Sequence, residues 1–521
     1  MLATLLSATL VALDGRVIRV EVDVAPGLPG FTIVGLGDAS IREARERVRG
    51  ALRNTGFVHP PRRITVNLAP ADVPKTGSAA DLAIAIGILI GSEQFTPRAG
   101  RAALVGEVSL GGEIRTVPGL LPMVAALARR RVGRVIVPAD GAAEARLVDG
   151  LEIVPVATLA EAVAALRKRR HAGPMPPARI ELAPTAAASM RPPTMPALAA
   201  SPTAPDLADV RGQLEARRAL EVALAGGHGL LLIGPPGTGK TMLARTIPAL
   251  LPDLSDEESL GATIVASVSG EPIDGLVRRP PFRAPHHTSS YAAIVGGGSR
   301  LVPGEVTRAD RGVLFLDELA EFSRDVLESL RQPLEDGRVT IVRAAGSVTL
   351  PARFQLVAAT NPCPCGYAGM DDRCTCPHGV PERYVGRLSG PLRDRIDVWV
   401  TLARMPAGMM VGAADPEAST VVAARIANAR DRQLARPGHR LNARVSGRAL
   451  RAISGLSAES AERLAQLADS ELLSGRGTER LLRVARTVAD LSGVATVEIE
   501  HLEEAARWRP PSIRTSLALA V

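Results

Sequence analysis

Apolar and polar positions are arranged in three ways along this chain. Residues Val17-Ile18-Arg19-Val20-Glu21-Val22-Asp23-Val24 alternate with period two, the pattern of a half-buried strand. The apolar stretch Met1 to Leu13 before it has no basic leading region, so the two read as a β-hairpin and not as a signal peptide. Arg63 to Leu68 reads as a strand, Ala79 to Ile90 as a helix, and Arg134 to Pro138 as a strand after an alanine-rich helix. From residue 206 to about 404 short apolar runs recur: Leu230 to Ile233, Val313 to Leu316, Phe354 to Ala359 and Ile396 to Leu402. Helical patterns lie between them, which predicts a parallel sheet wrapped by helices. Beyond about 420 only helical periodicity remains, in Thr420 to Leu434, Ser457 to Leu472 and Thr478 to Leu491.

These patterns predict an α/β multidomain chain. Residues 1–170 form a mixed α/β domain, 171–205 a Pro/Ala-rich flexible linker, 206–404 an α/β nucleotide-binding block and 405–521 a helical lid. A sheet domain followed by a small helical lid is the layout of an AAA+ module. Leu82 to Ile90, the longest apolar run, is far short of the roughly 20 residues of a membrane span.

The chemistry begins at Gly234-Pro235-Pro236-Gly237-Thr238-Gly239-Lys240-Thr241, which fits G-x-x-x-x-G-K-[ST] directly after an apolar strand. The glycines let backbone N–H groups turn onto phosphates, and the helix start adds partial positive charge. Lys240 is placed to reach the β/γ-phosphates of ATP, and Thr241 to offer its hydroxyl to Mg²⁺. Val313 to Leu316 ends in Asp317-Glu318, a Walker B pattern in which Asp317 helps hold Mg²⁺ and Glu318 polarises the attacking water. Asn361, after the next strand, suits the sensor-1 role; an ordinary Asn-Pro turn is the other reading. Arg395 is the candidate arginine finger, with Arg393 and Arg387 behind it. Arg476 is the sensor-2 candidate, with Arg483 as alternative. A finger acting in trans requires an oligomer, here expected to be a six-membered ring.

Charge and cysteine content refine the picture. The net charge of +8 suits a polyanionic partner such as nucleic acid, although arginine also simply solvates surfaces. The basic run Arg167 to Arg170 reads either as a solvated helix end or as a nucleic-acid contact. All four cysteines fall in one segment, as Cys363-Pro-Cys365 and Cys374-Thr-Cys376. Two close pairs can surround one tetrahedral Zn²⁺ in a structural site; His378 is a possible substitute ligand, and free thiols are the alternative. A dispersed disulfide framework is excluded, and the chain is expected in the cytoplasm.

Phe282-Arg283-Ala284-Pro285-His286-His287-Thr288, Gly296-Gly297-Gly298, Pro303-Gly304-Glu305, Gly312 to Glu318 and Asn361-Pro362-Cys363-Pro364-Cys365-Gly366 together resemble the ComM/YifB family of magnesium-chelatase-like AAA+ ATPases. The resemblance covers nearly the whole chain. It implies the clade with a helix-2 insert and a presensor-1 hairpin. It also implies a hexameric motor driving branch migration when transforming single-stranded DNA enters the chromosome. Val339 to Val342 and Ser347 to Leu350 then form the hairpin, with Arg343 near its tip to grip phosphates; Arg283 to Arg300 is the insert, with His286, His287 and Arg300 as further DNA candidates.

The first domain resembles the Lon-protease-like domain of the same family, through Pro74 to Ala79 and Gly106 to Ser109. Lon-type cleavage needs a serine activated by a lysine. The expected lysine position falls near Leu121, and no lysine lies between Lys75 and Lys168. A non-proteolytic scaffold is therefore expected, with Ser78 as a helix N-cap. Three rival readings of the whole chain are a protein-remodelling or chelatase-type ATPase, an ATP-dependent protease and a nucleotide-binding switch.

Overall fold

The computed structural model describes residues 1–35, 37, 39–97, 102–167, 205–297, 302–343, 346–369, 373–405 and 417–509. The expected linker 171–205 lies almost wholly outside these residues, as does Arg300; Arg343 is described in its backbone only. The contacts divide the chain into two compact units. The first holds the described residues within Met1–Arg191 together with Asp256–Val277 and Val302–Pro303; the second holds the remainder.

The first unit is built on a seven-stranded sheet: β1 (Leu2–Val11), β2 (Asp14–Ala25), β3 (Gly30–Val34), β4 (Arg63–Ala69), β5 (Ala102–Leu104), β6 (Arg134–Pro138) and β7 (Glu152–Val156), in the order β3-β4-β2-β1-β5-β6-β7. The β1/β2 pair is the antiparallel hairpin that the alternation predicts, with Leu2 opposite Asp23 and Val11 opposite Asp14. Ile18, Val20, Val22 and Val24 are buried, while Arg19, Glu21 and Asp23 point the other way. Helix Asp81–Gly91 is buried on every side, which explains an apolar run with no polar face. It packs on β1 and β2.

Helix Asp256–Val268 follows the phosphate-loop region in sequence but packs in this first unit against helix Leu120–Arg129. Gly119 N donates to Ser267 O at 2.8 Å, and buried Glu144 accepts from Leu121 N at 2.8 Å and from Ser267 Oγ. Two stretches of the 206–404 block therefore belong, by their contacts, to a different unit from the rest of it.

The second unit contains a five-stranded, all-parallel sheet: β8 (Leu230–Ile233), β9 (Phe282–Arg283), β10 (Val313–Leu316), β11 (Gln355–Thr360) and β12 (Val398–Thr401), ordered β9-β10-β11-β8-β12. Leu230 to Leu232, Leu314 to Leu316, Val357 to Ala359 and Val398 to Val400 are all buried, as strands covered on both faces must be. Chain order reverses around β8, so the loop after β8 opens at a topological switch point, where such sheets bind ligands. Between β10 and β11, Arg338–Arg343 and Gly346–Pro351 form an antiparallel hairpin, Val342 opposite Ser347. Helices Ser419–Leu434 and Gly475–Ser492 pack against helix Leu214–Gly226, so the helical segment shares one core with the sheet. No helix among the described residues is long and apolar enough to cross a membrane.

One charge sits deep in the first unit. Asp81 is fully buried and pairs with Arg47, Nε to Oδ2 at 2.7 Å. Burial still outweighs that partner and lifts the carboxyl to about 6. Its folded pKa lies above its unfolded one, so its contribution is fully present below about pH 4 and is lost as pH rises through about 6. Urea unfolding of the parent and Asp81→Asn at pH 4 and pH 7 reads this: the parent should lose about 3 kcal/mol relative to the Asn variant between the two, at 1.36 kcal/mol per pKa unit. An unchanged difference would show that Asp81 does not titrate there.

Candidate nucleotide and metal sites

Strand β8 delivers the chain into the loop Gly234 to Gly239, and helix Lys240–Arg245 leaves it. Gly237 and Gly239 have φ of +76° and +88°, and a Cβ on either would meet nothing within 4 Å. The loop thus needs glycine for its backbone turn and leaves open space beside it. Lys240 is buried, and its Nζ donates to Gly234 O at 2.6 Å, Pro235 O at 2.9 Å and Asn361 Oδ1 at 3.2 Å. Burial lowers its pKa, and Asp317 and Glu318 oppose that shift. Thr238 Oγ1 donates back to Pro235 O at 2.9 Å. Gln213 Nε2 spans Thr238 O at 3.3 Å and Ala403 O at 2.7 Å, fastening the loop to the segment after β12; sequence reading gave no sign of this residue.

The acids arrive from β10. Thr241 Oγ1 donates to Asp317 Oδ2 at 2.7 Å, so the two groups expected to hold Mg²⁺ converge on one point. A hydroxyl beside a carboxylate is an oxygen set that suits Mg²⁺. Glu318 has φ +54° and ψ +46°, a left-handed backbone that a non-glycine residue adopts at a cost. The turn aims its half-exposed carboxylate at His287, Nδ1 to Oε2 at 2.9 Å. His286 stacks beside His287 with ring centroids 4.2 Å apart and bonds Thr288 Oγ1 through Nδ1 at 2.8 Å. His287 therefore lies against the Walker B acid, a neighbour that sequence separation had concealed.

The arginine candidates are dispersed. Arg395 pairs with Glu335 at 2.7 Å, Arg393 lies 5.5 Å over the Trp399 ring, and Arg387 bonds Ala320 O at 2.9 Å. Arg476 is exposed in the first turn of helix Gly475–Ser492. One turn on, Arg480 is buried against Asp394 at 3.0 Å and Asp397 at 3.8 Å, and Arg483 reaches Asp397 at 3.7 Å. Arg480 escaped the sequence reading because many arginines share that helix.

The four cysteines close on one point, every sulfur within 4.8 Å of the others. Cys363 Sγ lies 3.3 Å from Cys365 and 3.9 Å from Cys374, and Cys365 lies 3.6 Å from Cys374. These are not bonded sulfurs, which sit at about 2.05 Å. Four sulfurs around one Zn²⁺ at about 2.3 Å would be about 3.8 Å apart, so the set fits a tetrahedral ion. Backbone N–H groups of Tyr367 and Thr375, with the Cys363 side chain, hold the Cys365 thiol down at about 6. His378 is exposed and is not part of the cluster. In the first unit Ser78 corrects an expectation: the helix begins at Asp81 without a side-chain cap, and Ser78 Oγ donates to Glu107 instead. The turn that carries Asp81 N to Ser78 O puts Ser78 before the helix start. Lys75 is buried with its Nζ on Pro70 O.

A phosphate-type loop at the switch point of a parallel sheet, in a chain that also holds a second mixed unit, defines a multidomain α/β protein of magnesium-chelatase-like architecture. Residues 206–410 match the family described as magnesium chelatase, subunit ChlI, residues 20–141 subunit ChlI of Mg-chelatase, and residues 416–509 the ChlI C-terminal family. The competence protein ComM of Haemophilus influenzae is 40% identical over 512 residues, covering 98% of this chain and 97% of its own. The protein YifB of Escherichia coli is 44% identical over 499 residues, 94% of each chain. An uncharacterized protein of Mycobacterium tuberculosis is 46% identical over 511 residues, 96% and 97% of the two chains. The chain belongs to the ComM/YifB family of magnesium-chelatase-like proteins.

Lys240→Ala tests the loop. Charge-assisted hydrogen bonds contribute about 1.5–3 kcal/mol, so affinity for a fluorescent ATP analogue with Mg²⁺ should fall about 10- to 100-fold. The thermal unfolding midpoint should stay near that of the parent. Unaltered affinity would remove Lys240 from the binding site.

Proposed function

We propose that this chain is a ring-forming, Mg²⁺-dependent AAA+ ATPase that moves on single-stranded or branched DNA. The carrying observation is the convergence of Lys240, Thr241, Asp317 and Asn361 where β8, β10 and β11 end. ATP supplies the phosphoryl chemistry, with Mg²⁺ neutralising charge. Lys240 and the loop N–H groups orient the phosphates. Thr241 and Asp317 hold the ion. Glu318 orients the lytic water after leaving His287, and Asn361 keeps that water in line. Arg395 belongs to the neighbouring subunit's site; within its own chain it pairs with Glu335. Sensor-2 duty falls to the helix Gly475–Ser492, where the inward placement of Arg480 and Arg483 favours them over exposed Arg476.

The hairpin Arg338–Arg343/Gly346–Pro351 faces the strand, with Arg343 at its end and His286 and Arg300 as weaker DNA candidates. Cys363, Cys365, Cys374 and Cys376 hold a structural Zn²⁺, with no vacant position for catalysis. Residues 1–170 serve as a Lon-like scaffold without proteolysis, since Ser78 meets the carboxylate of Glu107; residues 405–521 serve as the lid. The chain acts in the cytoplasm. Relatedness to a competence protein supports recombination of incoming DNA as the setting. A second reading, a chelatase-type or protein-remodelling ATPase, is favoured by the three ChlI family matches.

ATP hydrolysis measured with and without forked or single-stranded DNA separates the two. DNA should stimulate turnover, with an affinity that falls steeply with salt. Turnover that ignores DNA but needs a protein partner would favour the second reading. Glu318→Gln should bind nucleotide normally, hydrolyse it at least about 100-fold more slowly and fail in branch migration. Mixing tests the finger: Arg395→Ala and Lys240→Ala proteins should each be inactive, and their mixture should recover hydrolysis. No recovery would place the finger elsewhere.

A further inference from the structure

The cysteine loop lies against the phosphate loop. Gly366, one residue beyond Cys365, is buried with φ +89°, and a Cβ there would fall 2.6 Å from Pro236 Cδ and 2.8 Å from Pro236 Cγ. Pro236 is the central residue of the phosphate loop. Beyond Pro236 a Cβ on Gly237 or Gly239 would meet nothing within 4 Å, whereas Gly234 at the loop's start lies against Leu402. The Gly366 contact therefore supports the loop next to its open stretch. A second link runs through Asn361, two residues before Cys363, whose Oδ1 accepts from Lys240 Nζ at 3.2 Å. Inside the cysteine loop, Ala368 N donates to Cys363 Sγ at 3.2 Å and Gly366 N to Cys363 O at 2.9 Å. The segment 361–368 thus carries sulfur ligands on one side and phosphate-site contacts on the other.

We propose that the four-cysteine metal site is a positioning element for nucleotide: the metal-loaded loop holds Pro236 and Asn361 where the phosphate loop can close on ATP. Metal and nucleotide then bind with positive coupling. This rests on the readings of a Zn²⁺ site and an ATP site given above, and adds the energetic link between them. Such a link is reciprocal: whatever factor the metal adds to nucleotide affinity, the nucleotide adds to metal affinity. A cysteine loop that only stabilised the fold would show no such symmetry under native conditions.

The test uses the full-length protein in Mg²⁺. Metal analysis first gives the Zn²⁺ content per chain. Zn²⁺ is then stripped with a chelator selective over Mg²⁺, and circular dichroism checks that the fold survives. Affinity for a fluorescent ATP analogue should fall at least ten-fold and return when Zn²⁺ is restored. In the reverse arm, Zn²⁺ competition with the chelator should show metal held tighter by the same factor when the analogue is present. Gly366→Ala covers the case in which stripped protein unfolds: loaded with Zn²⁺, it should keep its metal and lose at least ten-fold in nucleotide affinity. Nucleotide affinity unchanged within two-fold, in stripped protein that keeps its fold or in Gly366→Ala with full Zn²⁺ content, overturns the coupling and leaves the metal site standing. Absence of Zn²⁺ from the parent protein overturns the metal site itself, and the proposal with it.

Discussion

A buried ammonium organises the glycine loop after β8. Lys240 has left water, and a charge in that position must find acceptors within the protein. It finds them in Gly234 and Pro235, the loop it follows, and in Asn361 at the end of another strand. The loop is thereby bent over its own lysine, and β8 is tied to β11 at the end where the sheet opens. Burial pulls the pKa down while Asp317 and Glu318 pull it up, so the site balances one cation against two acids. A ligand carrying more negative charge than loop carbonyls is the natural competitor for that cation. The acids arrive at the end of β10, which is separated from β8 by β11 alone.

A second polar network joins the sheet to the helical segment. Asp397, just before β12, accepts from or pairs with His228 at 2.9 Å, Arg480 and Arg483. His228 is fully buried and uses its other nitrogen on Thr487 Oγ1 at 2.8 Å. Asn442 joins Thr487 at 3.0 Å to Asp490 at 2.8 Å, and Asp490 also meets Arg436 and Arg486. The helices are therefore held to the strand ends by directional bonds as well as by packing. Arg480 and Arg483 are the helical segment's contribution to the strand end at Asp397.

Much of this was legible in sequence. The hairpin appears where expected, although β1 ends two residues before Leu13 and β2 starts three residues before Val17, because period-two alternation reports one buried face directly. Four of the five parallel strands were equally clear, because strands buried on both faces leave uninterrupted apolar runs; β9, only two residues long, was not read as a strand. The glycine loop after β8 and the helix that follows it were readable because glycine, lysine and threonine occur at a fixed local spacing. The cysteine cluster was readable for the same reason. Ser78 was misread, since a helix start shifted by two residues, from Ala79 to Asp81, changes which side chain meets the first turn. Family membership, carried by motifs spread over the whole chain, agrees with full-length relatives at 40% and 44% identity.

The sequence by itself determined the local devices: which strands are covered on both faces, which loop can cradle phosphate, which four sulfurs lie close enough to share an ion. Each depends on residues within a few positions of one another, where chain geometry leaves little freedom. Tertiary structure alone decided the partnerships across distance. It set His287 against Glu318, Arg480 against Asp397 and Gly366 under Pro236, and it drew helix Asp256–Val268 into the first unit. No spacing rule reaches those pairs, because their separation is fixed by strand order and by where each helix finds apolar cover.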